Sequence, residues 1–134
     1  MEIKVTTETG RVPVTIMRVD GNIDSSTYEA FTAKTDELIA SDTRYILVDL
    51  AQAPFVSSAG LRALHSIFNR LRTLHPDTNL SAEEIKQGIS AGTYKSPHLK
   101  LLNLSKETQS AFTLSGFDMF LETFTDKQKA IASF

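Results

Sequence analysis

Apolar and polar positions alternate at the start of the chain, where Ile3 and Val5 are followed by Val12, Val14, Ile16 and Val19 across Glu8-Thr9-Gly10. A period of two marks strands with one buried face, so this segment predicts a β-hairpin turning at Glu8-Thr9-Gly10. Pro13 has no N–H to give to a ladder and is expected at a sheet edge or at the start of its strand. From Asp24 the period lengthens. Tyr28, Phe31, Thr35 and Leu38 fall at i, i+3, i+7 and i+10, one stripe of a helix, with Asp24, Ser25 and Ser26 each suited to cap it. Tyr45 to Leu50 is then almost continuously apolar and rich in β-formers. A strand covered on both faces has this composition, so the run predicts the central strand.

Leu61, Leu64, Phe68 and Leu71, with Ile67 beside them, mark a second helical stripe, and Ser57 and Ser58 stand at its start. Further on, Leu99, Leu101 and Leu102 predict a short strand, and Ala111, Phe112 and Leu114 a short helix ending near Gly116. Met119-Phe120-Leu121 is expected to form a last strand. Thr125-Asp126 is expected to cap a final helix through Ala130 and Ile131. Alternating strands and helices give the α/β class with a mixed sheet, since parallel neighbours need helical crossovers. Thr73 to Pro97 fits this rhythm poorly. His75-Pro76-Asp77 breaks the helix and Ser81-Ala82-Glu83-Glu84 restarts one, so residues 73–97 are expected to form a surface insertion.

Length and composition narrow the class. A chain of 134 residues suits one core, hence a single domain over residues 1–134, and its 41% apolar and 22% charged content is that of a globular protein. A net charge of -2 with interspersed signs gives little drive toward nucleic acid, so no direct nucleic-acid partner is expected. The absence of cysteine excludes disulfides and thiolate chemistry and suits a reducing compartment. Met1-Glu2-Ile3-Lys4-Val5 has no signal-like character, and no run approaches the roughly 20 apolar residues that span a bilayer. A cytoplasmic protein with no membrane insertion is the expectation.

Candidate chemistry is sparse. Ser57 and Ser58 have the position of helix caps, while the amides of a helix start also favour an anion, so a phosphate on Ser58 would be tolerated there. Ser58-Ala59-Gly60 resembles half of a hydrolase nucleophile elbow, but Val56 stands where that elbow needs a small residue. His65 lies two turns on, roughly 10 Å along the axis, too far for proton transfer. The three histidines, His65, His75 and His98, lack the i, i+4 spacing of a helical metal site. Glu83-Glu84 at a helix start answers to the helix dipole, and the six glycines form no phosphate-cradling loop. No enzyme, metal or cofactor is expected.

Two motifs, in order and at the expected distance, resemble the STAS family, named for sulphate transporters and anti-sigma factor antagonists. Gly21-Asn22-Ile23-Asp24-Ser25-Ser26-Thr27 is similar to the family's turn into its first helix. Val48-Asp49-Leu50 followed by Phe55-Val56-Ser57-Ser58-Ala59-Gly60-Leu61 is similar to its central strand and phosphorylation loop, and Leu114-Ser115-Gly116-Phe117 follows near the end. The resemblance implies a mixed sheet with helices mainly on one face, and an antagonist whose partner is an anti-sigma factor that is also a serine kinase. By position Ser58 matches the phosphoacceptor, and Asp24, Ser57, Ser58, Ala59, Gly60 and Leu61 match the partner-binding region. Asp24 has two readings, a helix cap or part of the partner surface, and Gly60 likewise either admits a partner backbone or relieves crowding against the sheet. The best-known antagonists carry aspartate where this chain has Ser57. The competing expectation is a scaffold module of the same fold in a transporter or stressosome-like assembly, with Ser58 only a cap.

Overall fold

The computed structural model describes residues 1–75, 81–91 and 94–134. Its strands are β1 (Glu2–Thr9), β2 (Pro13–Asp20), β3 (Ile46–Gln52), β4 (Leu99–Leu102) and β5 (Thr123–Phe124), joined in one sheet in the order β1-β2-β3-β4-β5. The first pair is antiparallel and the other three pairings are parallel. The helices are α1 (Tyr28–Ala40), α2 (Ser58–Leu74), α3 (Ala82–Ala91), α4 (Lys106–Leu114) and α5 (Lys127–Ser133). The result is a single α/β domain with a mixed sheet.

Sequential strand order decides where the helices go. The crossovers from β2 to β5 all step the same way across the sheet, so a uniform right hand places their helices on one face. Met17, Val19, Ile46, Val48, Leu50, Leu99 and Leu101 point to that face, where they meet Phe31 of α1, Leu61, Leu64 and Phe68 of α2, and Phe112 of α4. The alternate positions Val14, Ile16, Leu47 and Leu102 point the other way and are covered by Ala130 and Ile131 of α5. As the central strand of five, β3 buries both its faces, which is why its sequence runs almost without polar interruption.

The α2 stripe lies as the spacing predicts, with Leu61, Leu64, Ile67, Phe68 and Leu71 all buried. In α1 the buried stripe is Phe31, Thr35 and Ile39. Thr35 is fully buried because its hydroxyl donates to the Phe31 carbonyl at 2.7 Å. Tyr28, expected on the same stripe, is exposed at the helix's first residue, and Leu114 is exposed at the end of α4. The hairpin turn falls later than expected, since β1 continues to Thr9 and the connection is Gly10-Arg11-Val12. Pro13 opens β2, before β3 pairs from Thr15 onward.

Met119-Phe120-Leu121 is not a strand. A left-handed Gly116 (φ 77°) ends α4, and Phe117–Met119 winds as a 3-10 turn. Phe120 and Leu121 are consecutive and both buried in the helix-side core, an arrangement strand alternation forbids. The last strand is instead Thr123–Phe124. Asp126 then caps α5, its carboxylate accepting from the Lys129 N–H at 3.1 Å.

Within 73–97, α2 ends at Leu74, and Pro76 and Asp77 lie outside the described residues. Ser81 and Glu84 form a reciprocal capping box at the start of α3: the Ser81 hydroxyl accepts from the Glu84 N–H at 3.1 Å, and the Glu84 carboxylate accepts from the Ser81 N–H at 3.3 Å. The segment has contact with the core, for Ile85 is buried and Ile89 and Tyr94 pack against the helix-side cluster.

Leu64 is fully buried between α2 and the sheet. Leu64→Ala is therefore expected to cost roughly 2–5 kcal/mol in urea unfolding, and a loss below about 0.5 kcal/mol would contradict this packing.

Candidate functional site

The loops at the C-terminal ends of β2, β3 and β4 are laced together, and the serine pair sits on this platform. Gly21 turns the chain out of β2 with φ 118°, a left-handed conformation that a side chain would strain. Ile23 and Val56 then form a parallel bridge. The Ile23 N–H donates to the Phe55 carbonyl at 3.1 Å, and the Ser57 N–H donates to the Ile23 carbonyl at 2.9 Å. The Asn22 side-chain oxygen accepts from the Phe55 N–H at 3.2 Å. On the other flank the Ser105 hydroxyl donates to the Pro54 carbonyl at 2.6 Å. Every backbone group so tied is one that a free loop would leave to water.

Ser57 is the N-cap of α2: its backbone is extended, and its hydroxyl oxygen accepts from the Gly60 N–H at 3.4 Å. Ser58 is the first helical residue and is exposed. Because Ser57 does the capping, the Ser58 hydroxyl has no hydrogen-bond partner among the described residues. Ala59 is half-buried, while Gly60 and Leu61 turn inward. A Cβ on Gly60 would lie 2.6 Å from Val56 Cγ1 and 2.8 Å from the Ile23 carbonyl oxygen. Gly60 thus relieves crowding inside the chain, where it lets the first turn of α2 press onto the Ile23–Val56 bridge. Gly60 and Leu61 shape the surface from beneath.

Asp24 stands beside this platform as a local organiser. Its Oδ1 accepts from the Ser26 N–H at 2.9 Å, the Ser26 hydroxyl at 2.6 Å and the Thr27 hydroxyl at 3.3 Å. Its carbonyl accepts from the Thr27 and Tyr28 amides, so the turn it organises leads directly into α1. Thr27, the residue that precedes α1, makes no side-chain cap bond of its own. The hydrogen bonds from Ser26, side chain first and then backbone, hold the Asp24 carboxyl below its ordinary value against the opposing effect of desolvation, and Thr27 adds to them.

Between α1 and α2, next to Ser58, lies an open cleft of about 410 Å³ lined by Tyr28, Thr32, Ala59, Arg62 and Ser66 among others. Phe55, half exposed at 51%, borders the serine loop. Phe55, Tyr28 and Arg62 were not singled out for the site by sequence pattern; the one signal was the i, i+4 spacing of Ser58 and Arg62. His65 is drawn into a ring cluster, 5.6 Å from Phe117 and 5.8 Å from Phe120, and serves packing. The His75 and His98 rings lie 5.5 Å apart, tilted by 45°, near the other end of α2. No group of three or more His, Asp or Glu suited to a metal is found among the described residues, and no helix there is long and apolar enough to cross a membrane.

Two measurements check this geometry. Gly60→Ala forces a side chain onto a backbone oxygen and should destabilise the fold by about 1–3 kcal/mol; unchanged unfolding would refute the close approach. For Asp24, an NMR titration of the carboxyl carbon should give a midpoint below the usual ~3.9, and Ser26→Ala should raise it. The sign follows from the donors, which stabilise the charged form, so any stability the carboxylate confers is present above the unfolded value and lost as pH falls through the folded one.

Comparison with known structures and families agrees with this architecture. A structure of an anti-sigma factor antagonist from Mycobacterium paratuberculosis superposes with a TM-score of 0.68 at 18% identity, over 98% of this chain and 93% of that one. An anti-sigma-factor antagonist (STAS) domain protein from Planctomyces limnophilus gives 0.65 at 18% identity, over 96% and 94%. The Bacillus cell fate determinant SpoIIAA in its phosphorylated form gives 0.63 at 17% identity, over 97% and 96%. At these identities the likeness establishes the fold. No curated protein matches in sequence. The family model described as "STAS domain" matches residues 4–78, more than half of the chain and all of the platform from Gly21 to Leu61, and the chain therefore belongs to the STAS domain family.

Proposed function

We propose that this STAS domain is a non-catalytic, partner-switching antagonist of an anti-sigma factor. With Ser58 unmodified it binds an anti-sigma factor that is also a serine kinase; with Ser58 phosphorylated it lets go. The observation that carries this reading is the division of labour in the serine pair: Ser57 caps α2, and the adjacent Ser58, exposed at the first helical residue, has a hydroxyl with no partner among the described residues. A kinase reaches such a hydroxyl without unfolding anything. The fold is also shared with antagonists, among them SpoIIAA, whose structure is known in unphosphorylated and phosphorylated forms.

Phosphate adds about two negative charges and three acceptor oxygens. At the start of α2 those charges meet the positive end of the helix dipole, so the domain tolerates them. The effect falls on the interface, where a carboxylate-lined or apolar partner surface rejects a dianion by repulsion and desolvation. The partner surface in this reading comprises Asp24, Ser57, Ser58 and Ala59, with Gly60 and Leu61 supporting it. Nucleotide belongs to the kinase, the domain needs no cofactor, and the exchange takes place in the cytoplasm. One observation favours the scaffold reading instead: Ser57 replaces the aspartate of the best-known antagonists, removing a charge beside the acceptor.

Incubation with the cognate kinase and ATP, followed by mass spectrometry of the Ala51 to Arg62 region, distinguishes the two. Phosphate is expected on Ser58, absent in Ser58→Ala, which should still bind the partner and melt within a degree or two of the parent. Phosphate on Ser57 alone, or on neither serine, sinks the switching assignment.

A further inference from the structure

We infer that Arg62 is the internal counter-ion of a phosphate on Ser58, and that phosphorylation engages its guanidinium within α2, so that its charge is no longer available to the partner. This rests on the reading of Ser58 as the modified residue and concerns what the phosphate does once formed.

Ser58 and Arg62 are four residues apart in one continuous helix, the spacing at which side chains stack on the same face with Cβ atoms roughly 5–6 Å apart. Direction matters as much as spacing. Helical Cα–Cβ bonds tilt toward the N-terminus, and long side chains cover the turn that precedes their own Cα. Arg62 therefore leans toward residue 58, whereas a basic residue N-terminal to the serine would lean away. A guanidinium on its three-carbon stem spans the remaining gap to phosphate oxygens and presents the forked donors that match them.

Arg62 is also the arginine of α2 that is left over. Arg70 pairs with Asp36 of α1. Arg72 donates to Asn69 Oδ1 at 3.1 Å and lies over the Phe68 ring at 5.7 Å. Arg62 is exposed and has neither an ion pair nor a hydrogen bond among the described residues. It lines the cleft with Tyr28 and Ala59 at the edge of the proposed partner surface. Before phosphorylation its charge is available to an acidic group of the partner. Afterwards an intramolecular dianion competes for it at high effective concentration, so a single modification both adds negative charge to the surface and withdraws a positive one.

The test uses the full chain carrying phosphoserine installed at position 58 by genetic incorporation, which makes the result independent of whether a kinase acts there. Phosphorus NMR titration reads the second ionisation of the phosphate, ordinarily near 6. With Arg62 present the midpoint should lie lower than in Arg62→Gln by about 0.2–0.4 pH unit, the size expected when an exposed i, i+4 pair gains one further negative charge. Arg62→Lys should restore most of the difference, and Arg70→Gln, two further turns along the helix, should leave the midpoint where it is. Circular dichroism checks that each variant is folded. Equal midpoints in the parent and Arg62→Gln overturn the inference while leaving Ser58 as the switch; absence of kinase-dependent phosphate on Ser58, with the shift intact, overturns the switch while leaving the pairing.

Discussion

The platform depends on one close approach, the first turn of α2 seated on the bridge between Ile23 and Val56. The bridge extends the pairing of β2 and β3 past the irregularity near Arg18 and Asp20, after both strands have otherwise ended. It holds two loops at one height through the Ile23 and Ser57 amides. Only a residue without a Cβ lets the helix come down onto the Ile23 carbonyl, and that residue is Gly60. Once seated, the helix axis is fixed, and the exposure of Ser58, the burial of Leu61 and the direction of Arg62 follow from 3.6 residues per turn.

The same seating separates a rigid support from an accessible surface. On the sheet side α2 buries Leu61, Leu64, Ile67, Phe68 and Leu71 without a polar interruption. On the outer side it presents Ser58, Arg62 and Ser66 to solvent. The opposite face of the sheet is closed by other means. Lys100 projects from β4 into the α5 side and is nearly buried, yet its ammonium donates to the Ser133 carbonyl and hydroxyl at 2.9 Å each and lies 3.3 Å from the Glu122 carboxylate. The Phe134 ring sits 4.9 Å from the same ammonium. A buried cation is costly unless paired and hydrogen-bonded, and here Glu122, just before β5, supplies the pair and the end of α5 the hydrogen bonds. The closing helix is thus tied down by polar as well as apolar contacts, at a distance from the serine loop.

Much of this was legible in the sequence where one local period governs. Ile46, Leu47 and Val48 read as a central strand because a strand buried on both faces has no reason to alternate, and the α2 stripe reads as a helix because its apolar positions repeat without exception. Legibility ends where a turn, or a contact outside the local period, decides. Tyr28 matches the helical period but is exposed, because α1 begins only at Tyr28, after the turn that the Asp24 carboxylate organises, and its buried stripe is Phe31, Thr35 and Ile39. Phe120 and Leu121 look like a strand, but a 3-10 turn after Gly116 sends both inward. Lys100 has the place of a solvent-facing strand residue until α5 covers it. In the site, the position of Ser58 was readable from the motif. For Gly60 relief of crowding was one of two readings, and what the sequence could not name is the neighbour it makes room for, Val56 and the backbone oxygen of Ile23.

Serine at position 57, where the best-known antagonists carry aspartate, keeps the helix cap and changes the charge beside it. An aspartate at an N-cap accepts a hydrogen bond from the third residue of the helix, and the Ser57 hydroxyl accepts that same bond from Gly60. Either side chain satisfies the amide, so the helix start survives the exchange. The difference lies in charge. An aspartate next to the acceptor serine would already place a negative charge at the helix start, so a phosphate added there would meet repulsion and a partly neutralised dipole. With serine at the cap the helix end keeps its positive character, and under the proposed switch a phosphate would change the charge of the serine pair from zero to about minus two. Under the proposed switch, the contrast between the two states would then rest on the phosphate at Ser58 and on the Arg62 charge it engages.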